Sequence, residues 1–351
     1  MSNLFVIMKK IVLIPVSLIV FLLIFSSIVY WQIYHKNFSI NNIITIEIKE
    51  GDGVRPLTER LEREGAVPSA VVLRKFLSFK GVDRKIQSGM YTFVPPFSVV
   101  TIADTLLHPE KSEVEVTIIP GTDMRDITNY LFGQGFGTEE EIAGIIGKSA
   151  VMYTKPFVRP SWFEQYALAK HIPKTATLEG YLAPDTYRVF AYASVDDVLE
   201  KVFAERDSQF TEQMYTDIAS QKRTVHEIII MASVLEREVR TSEDRKKVAD
   251  LFWRRYDMGW ALQADSTVHY VVNKKGDVYT TAKDRQTDSL WNTYKYPGLP
   301  EGPISTPSIS AIMAAIYPEK NEYWYFLTTQ EGRVVYGKTL EEHNANKVHL
   351  Q

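Results

Sequence analysis

The first strong pattern in the chain is an uncharged apolar run over residues 11–34. About 20 consecutive apolar residues are enough for a helix to cross the hydrocarbon core of a bilayer. Lys9 and Lys10 precede the run, and basic residues favour the cytoplasmic side of a membrane. The pattern therefore predicts a cytoplasmic tail over residues 1–10, a single transmembrane helix and an extracytoplasmic remainder. A cleaved signal peptide is the alternative, but its apolar core is typically shorter.

A polar linker at residues 35–43 separates this run from a region where strand and helix periods alternate. Ile44, Ile46 and Ile48 alternate with polar residues, as they do in a strand with one buried face. Two helix patterns, a second strand pattern and a third helix pattern follow. These predicted elements cover residues 54–64, 69–79, 88–93 and 99–107. Their order resembles a LysM-type sugar-binding module, which we assign to residues 44–115.

The remaining part of the chain, residues 116–351, combines further strand and helix patterns. Its clearest helix begins near Thr224, which forms a capping-box pattern with Glu227 and is followed by an apolar run over residues 228–235. The run is apolar on nearly every face, which predicts a buried helix. The predicted fold class is therefore α+β, in which a transmembrane helix and a small module precede a larger mixed α/β domain.

Glu236 continues the row of Ile229 and Ala232 on this helix. A carboxyl group on an apolar face is costly to ionise, so Glu236 is a candidate general acid near neutral pH. An ion pair with a nearby arginine at the end of the helix explains the same spacing equally well. Glu238 lies about 200° further round the helix, so the two carboxylates point in different directions. Spacing alone allows either glutamate to be catalytic.

Two loops carry further polar and aromatic residues. Glu179, Asp185 and Tyr187 lie in a segment rich in turn-forming residues, where acids commonly accept hydrogen bonds from backbone amides. Contact with a substrate is the alternative role for the two acids, and stacking on a sugar face and filling the core fit Tyr187 equally well. Asn292 and Tyr294 lie in a loop with four prolines, and an amide beside an aromatic ring suits the hydroxyls and faces of a sugar. A purely structural proline loop is the alternative.

Asp265 precedes another apolar run, at a position typical of a helix N-cap. We therefore expect Asp265 to cap a helix, with contact to a substrate as the second interpretation.

Composition narrows the chemistry. The chain has 351 residues, of which 45% are hydrophobic, so it can bury the cores of two modest domains. The net charge of −3 is spread along the chain and does not indicate nucleic-acid binding. No cysteine is present, which excludes disulfides, cysteine nucleophiles and thiolate metal sites, and the seven histidines lack metal-ligand spacing. We expect neither a metal nor an organic cofactor.

Six segments, taken in order, resemble the endolytic murein transglycosylase family, also called YceG-like. The matching segments are EGYLAPDTY (179–187), ASVLERE (232–238), LQADST (262–267), NTY (292–294) with GLP (298–300), GPI (302–304) and KTLEEHN (338–344). The chain departs from residues that are usual in the family at Ala264, Ser266, Thr306 and Ser308. The resemblance implies an N-terminal membrane anchor, a LysM-like module and an extracytoplasmic catalytic domain at the bacterial cytoplasmic membrane.

The resemblance also implies an activity. The family reaction cleaves the β-1,4 bond between N-acetylmuramic acid and N-acetylglucosamine without water and leaves a 1,6-anhydro end, which limits the length of nascent strands. It implies that Glu236, the first glutamate of its segment, is the catalytic residue. We predict substrate-binding roles for six other residues, namely Glu179, Asp185, Tyr187, Asp265, Asn292 and Tyr294. The implied partners are peptidoglycan strands and the synthases of cell-wall elongation.

Two other functions fit parts of the same pattern. A muramidase-type hydrolase needs a second carboxylate, for which Asp265, Glu179 and Asp185 are the candidates. A non-catalytic scaffold that binds peptidoglycan and wall synthases needs no acid at all.

Overall fold

The computed structural model describes residues 20–35, 43–48, 51–87, 89–107, 113–149, 158–190, 193–274, 280–329 and 331–350. The chain divides into two compact units. The first unit consists of Met1–Val114 with Val189–Tyr192, and the second consists of Glu115–Arg188 and Ala193–Gln351. Helices and short two-stranded sheets occur together, so the mixed α/β part of the predicted fold class is confirmed.

Residues 20–34 form helix α1, which lies within the predicted transmembrane segment. Residues 1–19, which hold the predicted cytoplasmic tail and the first part of that segment, lie outside the described residues, as do residues 36–42 of the linker. In the described part of the chain, no helix is both long enough and apolar enough to cross a membrane.

The first unit contains a small α/β module. Its elements are β1 (Ile44–Ile48), α2 (Val54–Arg63), α3 (Ala70–Phe79), β2 (Gly89–Phe93) and α4 (Val99–Leu107). The two strands are antiparallel, with Ile44 opposite Phe93 and Ile48 opposite Gly89. Because side chains alternate between the two faces of β1, its three isoleucines lie on one face. They pack in one core with the apolar faces of the three helices. The five predicted elements are therefore confirmed to within one residue, while the LysM-type assignment stays a prediction.

After the small module, further strands and helices follow one another along the chain. The elements are β3 (Glu113–Thr117), α5 (Met124–Gly133), α6 (Glu139–Ile146), β4 (Thr186–Phe190), α7 (Val195–Ser208), α8 (Glu212–Ser220), α9 (Val225–Glu238), α10 (Ser242–Asp257), α11 (Asp265–Val272), α12 (Ala282–Arg285), α13 (Ile309–Ile316), β5 (Tyr325–Thr328), β6 (Val334–Gly337) and α14 (Leu340–Asn346). Strand β3 pairs with β4, and β5 pairs with β6 in an antiparallel hairpin.

Helix α9 is the centre of the second unit. Thr224 caps it through the predicted capping box with Glu227, and every residue from Ile228 to Leu235 is buried. The helix packs against α10, α11 and α13. Because apolar residues cover all faces, neighbouring helices can surround it. The helix ends at Val239, which has an extended conformation. Residues of its last turn line a cavity.

Candidate functional site

A cavity of about 790 Å³ opens at the C-terminal end of α9. The last turn of α9, the first turn of α11, the β5–β6 hairpin and α14 contribute its walls. Glu236 and Glu238 both line it, together with Asp265 and Tyr294. The cavity is large enough to hold part of a sugar chain. Three of the seven residues predicted from the sequence line it, namely Glu236, Asp265 and Tyr294.

Glu236 is held by two neighbouring elements. The Arg245 guanidinium of α10 donates to its Oε1 at 2.7 Å, and only 6% of the Glu236 side chain is exposed. Ser308, the N-cap of α13, donates to Oε2 from its backbone N–H at 2.9 Å and from its hydroxyl at 2.5 Å. Both oxygens of Glu236 therefore accept strong hydrogen bonds. This geometry is typical of an anchoring carboxylate that ties three helices together.

Glu238 has different surroundings. Its Oε1 accepts one hydrogen bond, at 3.0 Å, from the backbone N–H of Ser266 at the start of α11. Burial raises the pKa of Glu238, hydrogen bonding to Ser266 opposes the rise, and the negative charge of Asp265 adds to it. A glutamic acid with a raised pKa that faces a cavity has the properties of a general acid.

Asp265 also lines the cavity and is not the N-cap of α11. The N-cap is Ala264, and Asp265 is the first residue of the helix, so the N-cap prediction is wrong. Instead, Oδ1 of Asp265 accepts hydrogen bonds from the Thr280 hydroxyl at 2.5 Å and from the Tyr294 hydroxyl at 2.8 Å. The hydrogen-bonded Asp265–Tyr294 pair forms a polar wall of the cavity.

Asn292 lies beneath this wall and is fully buried. Its amide nitrogen donates to the carbonyls of Arg285 and Thr287 at 3.0 and 2.8 Å, and its amide oxygen accepts from the Tyr294 N–H at 3.1 Å. The amide group is thus used within the loop, where it fixes the position of Tyr294.

Glu179 does not line the cavity. It is buried, and its carboxyl group accepts hydrogen bonds from the Met124 N–H at 3.2 Å and from the Tyr270 hydroxyl at 3.0 Å. Burial, with a further contribution from the charge of Asp123, raises the pKa of Glu179 to about 8. The residue joins the start of α5 to α11, in agreement with a role in holding a backbone amide.

Asp185 and Tyr187 lie near the start of β4, away from the cavity lining. Asp185 is exposed, and its carboxylate accepts a hydrogen bond from the N–H of Thr186 at 2.6 Å. Tyr187 is buried and donates its hydroxyl to the Ala183 carbonyl at 2.7 Å. Both residues therefore satisfy local backbone groups of the strand and its preceding turn.

Sequence reasoning missed two groups at the site. Arg245 and Ser308, which bind Glu236, are separated from it by 9 and 72 positions and belong to other helices. The hairpin, which lines one side of the cavity with Tyr325, was not singled out in the sequence, whereas His343 of α14 lies in the matching segment at residues 338–344. The ring centroids of these two residues are 5.4 Å apart. Such contacts depend on tertiary packing, and spacing along the chain does not encode them.

Comparisons with known proteins agree with this architecture. The model of the YceG-like family matches residues 46–349. A protein of Bacillus subtilis (strain 168) named Endolytic murein transglycosylase is 28% identical over 306 residues, which cover 87% of this chain and 84% of that protein. A protein of the same name from Streptococcus pneumoniae serotype 2 is 26% identical over 318 residues, which cover 86% of this chain but 57% of that protein.

The crystal structure of a YceG-like protein from Listeria monocytogenes is similar, with a TM-score of 0.57 and 28% sequence identity. The similarity covers 86% of this chain and 98% of that chain. Since the family match extends over most of the sequence, from the small module to the C-terminal helix, the chain belongs to the YceG-like family.

Proposed function

We propose that this chain is an endolytic peptidoglycan lytic transglycosylase, a lyase that cuts the glycan strands of the bacterial cell wall. Support comes from its membership in the YceG-like family and from its similarity to relatives named Endolytic murein transglycosylase. The observation that carries the proposal is the cavity at the end of α9, which is lined by Glu236 and by Glu238, a half-buried glutamic acid with a raised pKa.

Glu238 is the general acid in this proposal. It lines the cavity, burial raises its pKa, and its Oε1 accepts a hydrogen bond from the Ser266 backbone N–H. Glu236, in contrast, already accepts from Arg245 and Ser308 at both oxygens. The resemblance to the family favours Glu236 as the acid, so Glu236 is the alternative that experiment must separate from Glu238.

The reaction needs one carboxyl group in two successive roles. The acid donates its proton to the glycosidic oxygen as the bond between that oxygen and C1 of N-acetylmuramic acid breaks. The C6 hydroxyl of the same sugar attacks C1, and its proton returns to the carboxylate. A 1,6-anhydro ring forms, the acid is regenerated and no water is consumed. Because the nucleophile belongs to the substrate, proximity replaces the second protein carboxylate that a hydrolase uses.

Asp265 and Tyr294 are the substrate-binding residues that we retain from the sequence-based prediction. They form a polar wall of the cavity, where a carboxylate oxygen and an aromatic ring can contact sugar hydroxyls and a sugar face. Asn292 acts through Tyr294, whose backbone it holds. Glu179, Asp185 and Tyr187 are assigned structural roles, since none of them lines the cavity.

Product analysis of matched variants tests this assignment. The full-length chain, purified in detergent, is incubated with purified peptidoglycan, and soluble products are identified by mass spectrometry beside Glu238→Gln and Glu236→Gln. We expect anhydromuramyl ends from the wild type and a loss of about 100-fold or more in rate for Glu238→Gln. Glu236→Gln, if it retains its circular dichroism spectrum, should keep measurable cleavage.

Each other result has a defined meaning. Loss of activity in folded Glu236→Gln with retention in Glu238→Gln would make Glu236 the acid. Reducing muramyl ends from the wild type would support the muramidase-type hydrolase. Binding of folded wild-type protein to peptidoglycan without any product would support the non-catalytic scaffold.

We further propose that residues 11–34 anchor the chain in the cytoplasmic membrane with the second unit outside it. The absence of cysteine allows a direct test, because each introduced thiol is unique. Ser220→Cys, at the exposed end of α8, should react with a membrane-impermeant maleimide in intact cells. Ser2→Cys in the tail should react only after lysis. The reverse labelling pattern would contradict this topology.

The small module offers a second candidate glycan site, which supports the LysM-like assignment. A cavity of about 360 Å³ lies beside β1 and α2 and is lined by the Gly51–Asp52–Gly53 turn, Arg60 and Asp83. Oδ1 of Asp83 is buried and has no hydrogen-bond partner among the described residues. Asp83→Ala should reduce co-sedimentation of inactive Glu238→Gln protein with peptidoglycan sacculi, and unchanged binding would contradict a glycan site here.

We also propose the synthases of cell-wall elongation as partners, because nascent strands are the proposed substrate. Chemical crosslinking in growing cells should recover a synthase with the full-length chain, and recovery of none would contradict the association.

A further inference from the structure

The cavity at the end of α9 is more basic than the chain as a whole. Its lining holds six arginines and lysines, namely Arg237, Arg240, Arg255, Lys274, Arg285 and Lys347. Among the residues that the structure describes, only three aspartates and glutamates line it, whereas the complete chain has 40 basic and 43 acidic residues. A cleft with an excess of one charge sign focuses the potential and attracts ligands of the opposite sign.

Most of these cations already have a partner in the protein. Lys274 pairs with Asp284 at 2.8 Å, and Arg255 donates to the backbone carbonyls of Leu262 and Trp324 at 2.6 and 2.5 Å. Among the described residues, Arg240 has neither an ion pair nor a side-chain hydrogen bond. It directly follows the end of α9, two positions after Glu238. A guanidinium without a carboxylate therefore lies at the edge of the cavity, close along the chain to the proposed acid.

The position of Arg240 is built into the hairpin. Its side chain lies over Gly332, in the turn between β5 and β6, where φ is +82°. A Cβ at this glycine would come within 2.8 Å of Arg240 Nη1 and 3.0 Å of its Cδ. Only glycine provides this backbone conformation together with the space for the arginine stem. A side chain at position 332 would therefore clash with the Arg240 stem and displace the guanidinium.

We propose that Arg240 binds a carboxylate carried by the glycan strand and so positions the strand for cleavage. The inference rests on the proposed function. Strands offer this group in two places: carboxylates of the peptide stem, or the lactyl carboxylate of N-acetylmuramic acid where the stem has been removed. A guanidinium matches a carboxylate with two parallel hydrogen bonds, which gives orientation as well as affinity.

Three substrates distinguish the sources of the carboxylate. They are strands with intact stems, strands freed of stems by an amidase, and stem-free strands whose lactyl carboxylates are converted to methylamides. Steady-state cleavage by the full-length chain is compared for wild type, Arg240→Gln and Arg240→Lys. Arg333→Gln is the matched control, because Arg333 is an exposed arginine of the same hairpin that does not line the cavity.

We expect Arg240→Gln to raise KM about tenfold on the carboxylate-bearing substrate that the site recognises, with little change in kcat. On the methylamide strands, Arg240→Gln and the wild type should have the same KM. That KM should be as high as the KM of Arg240→Gln on the recognised substrate. Arg240→Lys should recover part of the loss, and Arg333→Gln should behave as wild type. Sensitivity confined to stem-bearing strands identifies the stem, and sensitivity of stem-free strands identifies the lactyl group.

Two results would overturn the inference. An equal loss on charged and methylamide strands would show that Arg240 acts only through the local structure, and unchanged KM on all substrates would show that it binds no carboxylate. Failure of the proposed function is a different result, in which folded wild-type protein releases anhydro ends from none of the three substrates.

Discussion

Glu236 and Glu238 are two residues apart on one helix, yet their neighbours differ. Both oxygens of Glu236 accept hydrogen bonds, one from Arg245 and the other from Ser308. Glu238 faces the buried edge of α11 and the charge of Asp265, which raise its pKa. Carboxyl groups whose surroundings differ in this way can divide structural and acid–base roles between them.

The raised pKa of Glu238 predicts the pH dependence of activity. Because the acid must be protonated at the start of the reaction, kcat/KM should fall on the alkaline side as Glu238 ionises. Its pKa lies above the ordinary 4.5 of a glutamic acid, so activity should persist above that pH before it declines. A pH–rate profile of cleavage checks this, and an activity that rises with pH from 4.5 upward without an alkaline decline would contradict it.

The Glu236–Arg245 pair predicts a stability effect that is separate from catalysis. Arg245→Met leaves a buried carboxylate without its cation, which should lower the free energy of unfolding by about 3–5 kcal/mol. Urea denaturation followed by tryptophan fluorescence measures the change. Adding Glu236→Gln to Arg245→Met should restore much of the stability, since the uncompensated charge is removed while Ser308 keeps an acceptor. An additive loss in the double variant would argue against this ion pair.

At the scale of elements, the end of α9 is placed by packing against loops that are distant in sequence. The loop before β4 approaches α9 at Gly180, whose φ is +80°. A Cβ there would lie 2.6 Å from Cβ of Pro303 and 2.9 Å from Cγ2 of Ile229. The glycine therefore brings two loops into contact with the helix that carries both glutamates.

Gly180→Ala should consequently destabilise the second unit by at least about 1 kcal/mol, through backbone strain and overpacking together. The midpoint of urea denaturation reports this loss. Gly144→Ala is the matched control, because Gly144 lies within α6 and has no neighbour within 4 Å of an added Cβ. This substitution should leave the free energy of unfolding unchanged or raise it by up to about 1 kcal/mol. Equal effects of the two substitutions would contradict the packing argument.

At the scale of the whole molecule, one buried group couples stability to pH. The pKa of Glu179 is about 8 in the folded chain, compared with 4.5 for an ordinary glutamic acid. The folded state thus holds a proton that the unfolded state releases, so the free energy of unfolding falls as pH rises between these values. The contribution is complete below pH 4.5 and is lost as pH passes through about 8.

We expect Glu179 to contribute a slope of up to about −1.4 kcal/mol per pH unit within this window. Urea denaturation at a series of pH values gives the slope for the wild type and for Glu179→Gln. The glutamine can still accept from Met124 and contact Tyr270, but it cannot ionise. The difference between the two proteins should therefore vary with pH, and a constant difference would show that Glu179 does not hold this proton.

The sequence by itself determined the local elements and much of the membership of the site. The alternation of Ile44, Ile46 and Ile48 predicted a strand, and the Thr224 capping box predicted α9, because strand period and capping depend on neighbours along the chain. Ordered motifs also led to the YceG-like family, to which the chain belongs.

Only the tertiary structure decided how each polar group is used. Asp265 occupies an N-cap position in the sequence but bonds to Thr280 and Tyr294, because the fold brings those hydroxyls to its carboxylate. The contrast between Glu236 and Glu238 likewise depends on Arg245, Ser308 and Asp265. Protonation and binding respond to charges and donors within a few ångströms, and those neighbours come from distant parts of the chain.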